Sequence, residues 1–181
     1  MEFRLTGYYS NSINAQDLPY AGTILKFPDF IIFAYMSKST KYQEIYKQIE
    51  SVVCNETDQI ANMANTAALL HEEFGFWWTG FYIVRENQLV LGPFQGPVAC
   101  TRIGFGKGVC GTAWKMRETV IVHDVHQFPG HIACSSLSQS EIVVPIMYND
   151  EVCAVLDIDS KDFSTFDETD KEWLEKIVGL L

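Results

Sequence analysis

The chain has 181 residues, of which 48% are hydrophobic, and this is enough to build the core of one globular domain. Its formal net charge of −10 repels phosphate backbones and anionic lipids, so we expect neither nucleic acid nor a membrane as a partner. The cysteines are an odd number, five, and no secretory leader precedes them, which predicts a cytoplasmic protein without a structural disulfide framework.

The pattern divides the chain into two parts. Residues 1–35 show no clear periodicity and are interpreted as an irregular N-terminal extension, whereas residues 36–181 are predicted to form one domain. Its first helix begins near Thr40, which with Gln43 fits a capping box, and a second helix runs from about Thr57 to Gly75. Their predicted apolar faces comprise Tyr42, Ile45, Tyr46, Ile49, Val52 and Val53, and then Ile60, Met63, Ala67, Leu70 and Phe74.

Strands are predicted for most of the remaining chain. "FWWTGFYIV" and "QLVLGPF" are typical of a hairpin that turns at Glu86 and Asn87, and "EIVVPIM" and "EVCAVLDID" of a second hairpin. A short helix is predicted at "GVCGTAWKM", and Asp167 is expected to cap a closing helix that runs to Leu181. This order predicts an α+β fold, with the first and last helices on one face of a sheet and a loop-covered pocket on the other.

Two strands have an informative alternation. In "EVCAVLDID" it places Val152, Ala154, Leu156 and Ile158 on one face, and Cys153, Val155, Asp157 and Asp159 on the other. Alternation alone favours a solvated face for the two acids. In "FWWTGFYIV", Trp78, Gly80 and Tyr82 share a face, which core packing would explain, although the glycine also leaves space for a small group to approach the backbone.

Five segments carry a family resemblance. "LGPFQGPVAC", "FGKGVCGTA", "DVHQFPGHIAC", "SEIVVPI" and "LDIDS" closely resemble, in order and spacing, the free methionine-(R)-sulfoxide reductases, which are GAF domains. The resemblance implies a six-stranded antiparallel sheet flanked by helices. It also implies reduction of free methionine-(R)-sulfoxide through a cysteine sulfenic acid and an intramolecular disulfide, which thioredoxin or a similar dithiol protein reduces. No cofactor or metal is implied, and a homodimer is compatible with it.

The resemblance also assigns roles to three cysteines. It implies that Cys134 is the nucleophile, that Cys100 is its disulfide partner and that Cys110 is a third redox cysteine. From the residues alone, Cys110 is a rival nucleophile, because unsatisfied N–H groups at the start of its predicted helix would lower the pKa of the thiol. The choice between Cys134 and Cys110 stays open. Cys54 and Cys153 match no redox motif and are interpreted as small apolar fillers.

Acidic and aromatic residues complete the predicted site. Glu141, Asp157 and Asp159 match the family's acidic cluster, in which repulsion and burial keep at least one group protonated for the sulfoxide oxygen while an ionised neighbour binds the substrate's ammonium. Trp78 and Tyr82 match the aromatic wall around the S-methyl group.

Two other kinds of function are compatible with the sequence. One is a GAF module that senses a small molecule without catalysis, although binding alone would not need three placed cysteines. The other is a metal protein that uses His123, His126, His131 and Cys134. Their spacing matches neither a zinc finger nor the catalytic HExxH pattern, so we expect no metal. His131 lies three residues before Cys134 and could instead favour its thiolate.

Overall fold

The computed structural model describes residues 23–27, 30–34, 36–132 and 136–181, the first two ranges by their backbone. The chain forms two compact units, Met1–Lys41 and Tyr42–Leu181. In the first unit, strands β1 (Thr23–Phe27) and β2 (Phe30–Ala34) pair antiparallel. The irregular structure expected for residues 1–35 is therefore wrong for these strands. Their β-branched and aromatic residues favour strands, and a Pro-Asp pair between them is typical of a turn. The domain boundary after residue 35 stays a prediction.

Two helices open the main domain. Helix α1 (Lys38–Val53) is capped by Ser37, whose Oγ accepts a hydrogen bond from the Thr40 N–H at 3.1 Å. The predicted capping box at Thr40 is therefore wrong, because Thr40 already lies in the first turn. Helix α2 (Gln59–Phe74) ends as predicted at Gly75, which adopts the left-handed conformation with φ of 66°.

Two residues of the predicted apolar faces are exposed. Val52 lies about 100° around the helix from Val53. Val53 belongs to the buried stripe of α1, so Val52 faces away from the core. Ile60 lies in the first turn of α2, whose cap Asp58 accepts hydrogen bonds from the N–H groups of Ile60 and Ala61. Burial begins two residues further on, at Asn62 and Met63.

The remaining chain forms the six-stranded antiparallel sheet that the resemblance implied, and its strand order is β5-β4-β3-β8-β7-β6. Its strands are β3 (Trp78–Arg85), β4 (Gln88–Gln95), β5 (Arg102–Gly104), β6 (Val120–Val122), β7 (Ser140–Tyr148) and β8 (Glu151–Ser160). Glu86 and Asn87 both have positive φ, which confirms the predicted tight turn between β3 and β4. Helix α4 (Glu168–Val178) has the predicted Asp167 cap and ends before Leu181, because Gly179 is its C-cap.

A hydrophobic core lies on each face of the sheet. On the first face, α1, α2 and α4 pack over apolar residues of β3, β7 and β8 such as Phe81, Val144 and Leu156. On the second face, helix α3 (Gly108–Met116) packs over a smaller core that includes Tyr82 and Val143. The predicted α+β fold is thus confirmed, but α3 shares the second face with the loops. Within the described part of the chain, no helix is long and apolar enough to cross a membrane.

A β-bulge changes the predicted alternation of β8 at its start. The register with β7 shifts between Ile146 and Met147, so that Ala154 pairs with Ile146 and Val152 with Met147. Val152 therefore belongs to the second core, whereas Cys153 packs against the first, the reverse of the prediction. Beyond the bulge, the predicted alternation of Leu156, Asp157 and Ile158 is present.

Candidate active site

Three acidic side chains meet on the second face of the sheet. Glu141 of β7 lies opposite Asp159 of β8, and Asp159 lies opposite Trp78 of β3. One row further along, Asp157 lies opposite Gly80. Because directly opposed residues of antiparallel strands project from the same face, all three acids point into one space. The strand order β3-β8-β7 thus assembles the acidic cluster.

The acidic face is buried, so the solvated face favoured by alternation is wrong. Asp157 and Glu141 are each only 6% exposed, because α3 and the loops around it cover this face. Among the described residues, the Asp157 Oδ1 atom finds no hydrogen-bond partner. A buried carboxyl oxygen without a partner is costly, and it marks a place where a proton or a ligand's donor group would be accepted.

Helix α3 places a thiol against this cluster. Cys110 is the third residue of α3, and its Sγ lies 3.9 Å from Glu141 Oε1. The Cys110 thiol and the carboxyls of Glu141 and Asp157 offer atoms that all lie within 4.8 Å of one another. A thiol and two carboxyls at this spacing could hold a divalent cation, so the expected absence of a metal stays a prediction.

Burial and mutual repulsion keep protons on the acidic cluster. Burial raises the pKa of Glu141 and of Asp157 well above the usual range, and the neighbouring acidic charges raise both further. Burial also raises the pKa of Asp159 to about 6, an effect that a hydrogen bond from Ser138 partly opposes. The cluster therefore contains proton donors at neutral pH.

The same surroundings change the expectation for Cys110. Its predicted place at the start of a helix is confirmed, but burial raises the pKa of the thiol well above its ordinary value, and the charges of Asp157 and Glu141 add to the rise. The predicted lowering of the pKa is therefore wrong, since burial and acidic neighbours outweigh the helix terminus. This weakens the case for Cys110 as an attacking thiolate.

Trp78 and Tyr82 form one wall of the site. Their rings stack with centroids 6.0 Å apart, and both line a narrow cavity with the three acids and Cys110. Gly80 between them does not leave space for a ligand, because a Cβ there would collide with Phe94 and the Trp78 ring. The glycine instead lets these two rings pack, with centroids 5.4 Å apart.

The link between β4 and β5 closes another side of the cavity and contains Cys100. Cys100 is half-buried and disulfide-bonded, whereas Cys54, Cys110 and Cys153 are free thiols. Val98, two residues before Cys100, lines the rim of the cavity and is 87% exposed.

The histidines of the loop after β6 have separate surroundings. His131 Nε2 lies 3.8 Å from Glu141 Oε2, and His126 Nε2 lies 3.1 Å from Gln139 Oε1. Burial lowers the pKa of His131 and raises that of Glu141, so this contact joins two neutral groups at neutral pH. Within the described residues, no group of three metal-ligating side chains contains a histidine.

The other cysteines and two lining residues complete the comparison with the sequence interpretation. Cys134, the predicted nucleophile, lies outside the described residues. Cys54 is exposed and so is not an apolar filler, because it follows the last turn of α1, whereas Cys153 is half-buried as expected for one. Lys107 and Ser138 line the cavity and were not predicted. The sequence could have identified Lys107, because a cation at a helix N-cap lies unfavourably at the positive end of the helix dipole. A lysine at this position therefore indicates a role other than capping.

Comparison with known sequences supports this reading of the domain. Residues 45–181 match the model of the GAF domain family. The chain is 55% identical over 146 residues to GAF domain-containing protein A of Dictyostelium discoideum, covering 80% of this chain and 92% of that protein. It is 43% identical over 147 residues to free methionine-R-sulfoxide reductase of Escherichia coli, covering 81% of this chain and 89% of that enzyme.

Solved structures agree with the sequence comparisons. The fold superposes with a TM-score of 0.79 on the crystal structure of free methionine-R-sulfoxide reductase from Neisseria meningitidis in complex with its substrate. That protein is 54% identical in sequence, and the match covers 82% of this chain and 90% of that chain.

Proposed function

The chain belongs to the GAF domain family and, within it, to the free methionine-R-sulfoxide reductases, and from this premise we propose that it reduces free methionine-(R)-sulfoxide to methionine. The observation that carries the proposal is that buried, protonated acids line one cavity together with residues 97–99, which lead directly to the disulfide-bonded Cys100. Sulfoxide reduction needs both groups, because an acid must protonate the oxygen while cysteine sulfur supplies electrons.

The reaction transfers the sulfoxide oxygen to a cysteine. A thiolate attacks the sulfoxide sulfur while a protonated acid of the cluster delivers a proton to the oxygen. In the adduct the hydroxyl group passes from the substrate sulfur to the cysteine sulfur, the bond between the two sulfurs breaks, and methionine leaves. The cysteine becomes a sulfenic acid, so its sulfur is oxidised by the two electrons that reduce the substrate sulfur. A second cysteine then attacks the sulfenic sulfur, which expels water and forms a disulfide.

We assign the attacking thiolate to Cys134 and the resolving thiol to Cys100. The family resemblance supports these roles, and so does the disulfide bond that Cys100 forms, whereas Cys54, Cys110 and Cys153 are free thiols. Cys110 is disfavoured as nucleophile because burial and acidic neighbours raise the pKa of its thiol. Cys110 instead extends the set of weak proton donors against Glu141.

Recognition of the free amino acid uses both of its charged ends. The substrate's ammonium binds Asp159, whose pKa of about 6 leaves its carboxylate ionised at neutral pH, and donates a further hydrogen bond to the unpartnered Asp157 Oδ1. Its carboxylate binds at the start of α3, where backbone N–H groups have no side-chain cap and Lys107 adds a positive charge. Trp78 and Tyr82 contact the S-methyl group. Fixing these three points leaves only one sulfoxide epimer with its oxygen facing the acids, and the family resemblance implies that this is the R epimer.

A dithiol protein of the thioredoxin type completes the cycle in this proposal. Its thiolate attacks the Cys100 disulfide, and its second thiol releases both enzyme cysteines in reduced form. The exposed Val98 beside Cys100 supports access by such a partner. Because this recycling needs a reducing compartment, we place the protein in the cytoplasm. The expected homodimer stays a prediction that light scattering in solution tests.

Incubation of the protein with racemic free methionine sulfoxide and dithiothreitol tests the proposed function. We expect half of the sulfoxide, the R epimer, to become methionine, and little conversion of N-acetylated, amidated methionine sulfoxide, whose neutral ends leave buried charges unpaired. Comparable rates on the blocked substrate would contradict recognition of both ends. Binding of the sulfoxide without methionine formation would replace catalysis with small-molecule sensing.

A further inference from the structure

The segment that carries Cys100 crosses the rim of the cavity outside the strand pairing. β4 ends at Gln95 and β5 begins at Arg102, and the Thr101 carbonyl already accepts a hydrogen bond from the Leu91 N–H of β4 at 3.0 Å, so residues 96–100 depend on other contacts for their position. The segment begins at Gly96, which has a φ of 121°, and a Cβ there would lie 2.8 Å from Trp78 Cδ1. The start of the segment is thus packed directly on Trp78.

Two side chains of β3 donate hydrogen bonds to the main chain of this segment. Trp78 Nε1 donates to the Pro97 carbonyl at 3.0 Å, and the Tyr82 hydroxyl donates to the Cys100 carbonyl at 2.9 Å. Trp78 and Tyr82 are four residues apart in a strand, so they project from the same face and reach successive parts of the segment. Both ends of Pro97–Cys100 are therefore tied to β3.

The Tyr82 hydroxyl is well suited to this task. Tyr82 is 1% exposed, and its ring packs in the second core of the sheet, so the oxygen has a fixed position. Burial, and then the charges of Asp157 and Cys110, raise the pKa of Tyr82 far above its ordinary value. The hydroxyl therefore stays protonated and donates a hydrogen bond to the Cys100 carbonyl oxygen at 2.9 Å.

We propose that Tyr82 is a positioning residue for the disulfide step, and that its hydroxyl holds the Cys100 main chain where the Cys100 thiol closes onto the oxidised nucleophile. This role goes beyond contact with the S-methyl group and rests on the proposed function for the identity of that nucleophile. It assigns Tyr82 to the second half of the reaction, after methionine has formed.

The step that Tyr82 assists is the closure of the disulfide bond. The Cys100 sulfur attacks the sulfenic sulfur of the nucleophilic cysteine, the S–O bond breaks and the S–S bond forms. The Cys100 sulfur is oxidised, the sulfenic sulfur is reduced, and the departing hydroxide takes the Cys100 proton and leaves as water. A fixed Cys100 accelerates this closure, because the two sulfur atoms are held together before they react. It also stabilises the disulfide relative to the two thiols.

Tyr82→Phe removes the hydroxyl and keeps the ring, and two measurements follow its effect. The first is the reduction potential of the Cys100 disulfide in glutathione buffers, which we expect to become less negative. A tenfold loss of disulfide stability corresponds to about 30 mV, and loss of one hydrogen bond predicts a change of about threefold to tenfold. The second is trapping of the sulfenic acid with dimedone, which we expect to increase several-fold because closure is slower.

Tyr42→Phe is the matched control, since the Tyr42 hydroxyl donates at 2.8 Å to Asp170 Oδ1 in the other core and is fully buried. It should lower the free energy of unfolding without changing the potential or the trapping. Trp78→Phe removes the hydrogen bond to the Pro97 carbonyl and should shift the reduction potential in the same direction as Tyr82→Phe. If Tyr82→Phe does not fold, Trp78→Phe is used in its place.

Either of two results would overturn the role. One is an unchanged potential and unchanged trapping in Tyr82→Phe, or, if that variant does not fold, in Trp78→Phe. The other is an equal shift in Tyr42→Phe, which would indicate general loosening. The potential requires no substrate, so it tests the role of Tyr82 even if the wild-type protein forms no methionine.

Discussion

Cys110 Sγ lies 3.9 Å from Glu141 Oε1, at the point where α3 meets β7. Both groups are buried, and burial raises the pKa of each, so the pair is neutral at neutral pH. Glu141 is therefore a carboxylic acid that faces the cavity with its proton available, which is the state that sulfoxide reduction requires.

Glu141→Gln should reduce kcat/KM for free methionine-(R)-sulfoxide by about 100-fold or more, because general acid catalysis by a positioned group contributes at least about that factor. Glutamine keeps the size of the side chain but supplies no proton. Steady-state kinetics with dithiothreitol measure the effect. Glu172→Gln, at an exposed glutamate on α4 that pairs with Lys176, is the control and should retain wild-type kinetics. Unchanged kinetics in Glu141→Gln would remove Glu141 from proton delivery.

Asp159→Asn should stabilise the oxidised protein at pH 7 but not at pH 4. The folded state holds the proton of Asp159 up to about pH 6, whereas the unfolded chain releases it near 3.8, so folding of the wild type loses stability as pH rises between these values. This pKa difference corresponds to at most about 3 kcal/mol. Urea denaturation across this pH range measures it.

The exposed Asp150 at the turn between β7 and β8 offers a control for that experiment. Asn is well suited to its positive φ, so Asp150→Asn should fold as the wild type does, and it makes the same change of side chain outside the acidic cluster. An Asp159→Asn protein whose stability relative to the wild type does not change with pH would show that Asp159 is not held protonated by burial.

Most elements could be predicted from local patterns, but the site could not. The turn at Glu86 and Asn87 and the helix cap at Asp167 are determined by residues adjacent in the chain, so the local sequence predicts them. The burial of Asp157 depends on α3 folding over the sheet, which strand alternation cannot reveal. Likewise, the space beside Gly80 is filled by Phe94 from the adjacent strand. The acids were identified through the family resemblance, which carries this long-range information.

Val98→Asp should impair recycling by thioredoxin more than recycling by dithiothreitol. Val98 is 87% exposed beside the Cys100 disulfide, and a charge in a contact with a protein partner must be desolvated, whereas a small reductant avoids that contact. We expect the ratio of thioredoxin-driven to dithiothreitol-driven kcat/KM to fall about tenfold, which corresponds to about 1.4 kcal/mol. Val52→Asp, on the exposed side of α1, is the control. An equal fall of both rates would indicate that Val98 acts on the chemistry instead.

A single turnover without added reductant tests the central claim most directly. The reduced protein is mixed with excess free methionine-(R)-sulfoxide, and methionine, free thiols and disulfide-linked peptides are measured by mass spectrometry. We predict one methionine per chain, the loss of two thiols and a peptide pair that joins Cys100 to Cys134. Cys54→Ser and Cys153→Ser should behave as the wild type, and Cys134→Ser should form no methionine. Methionine from Cys134→Ser, or methionine formed by the wild type without loss of thiols, would contradict the account.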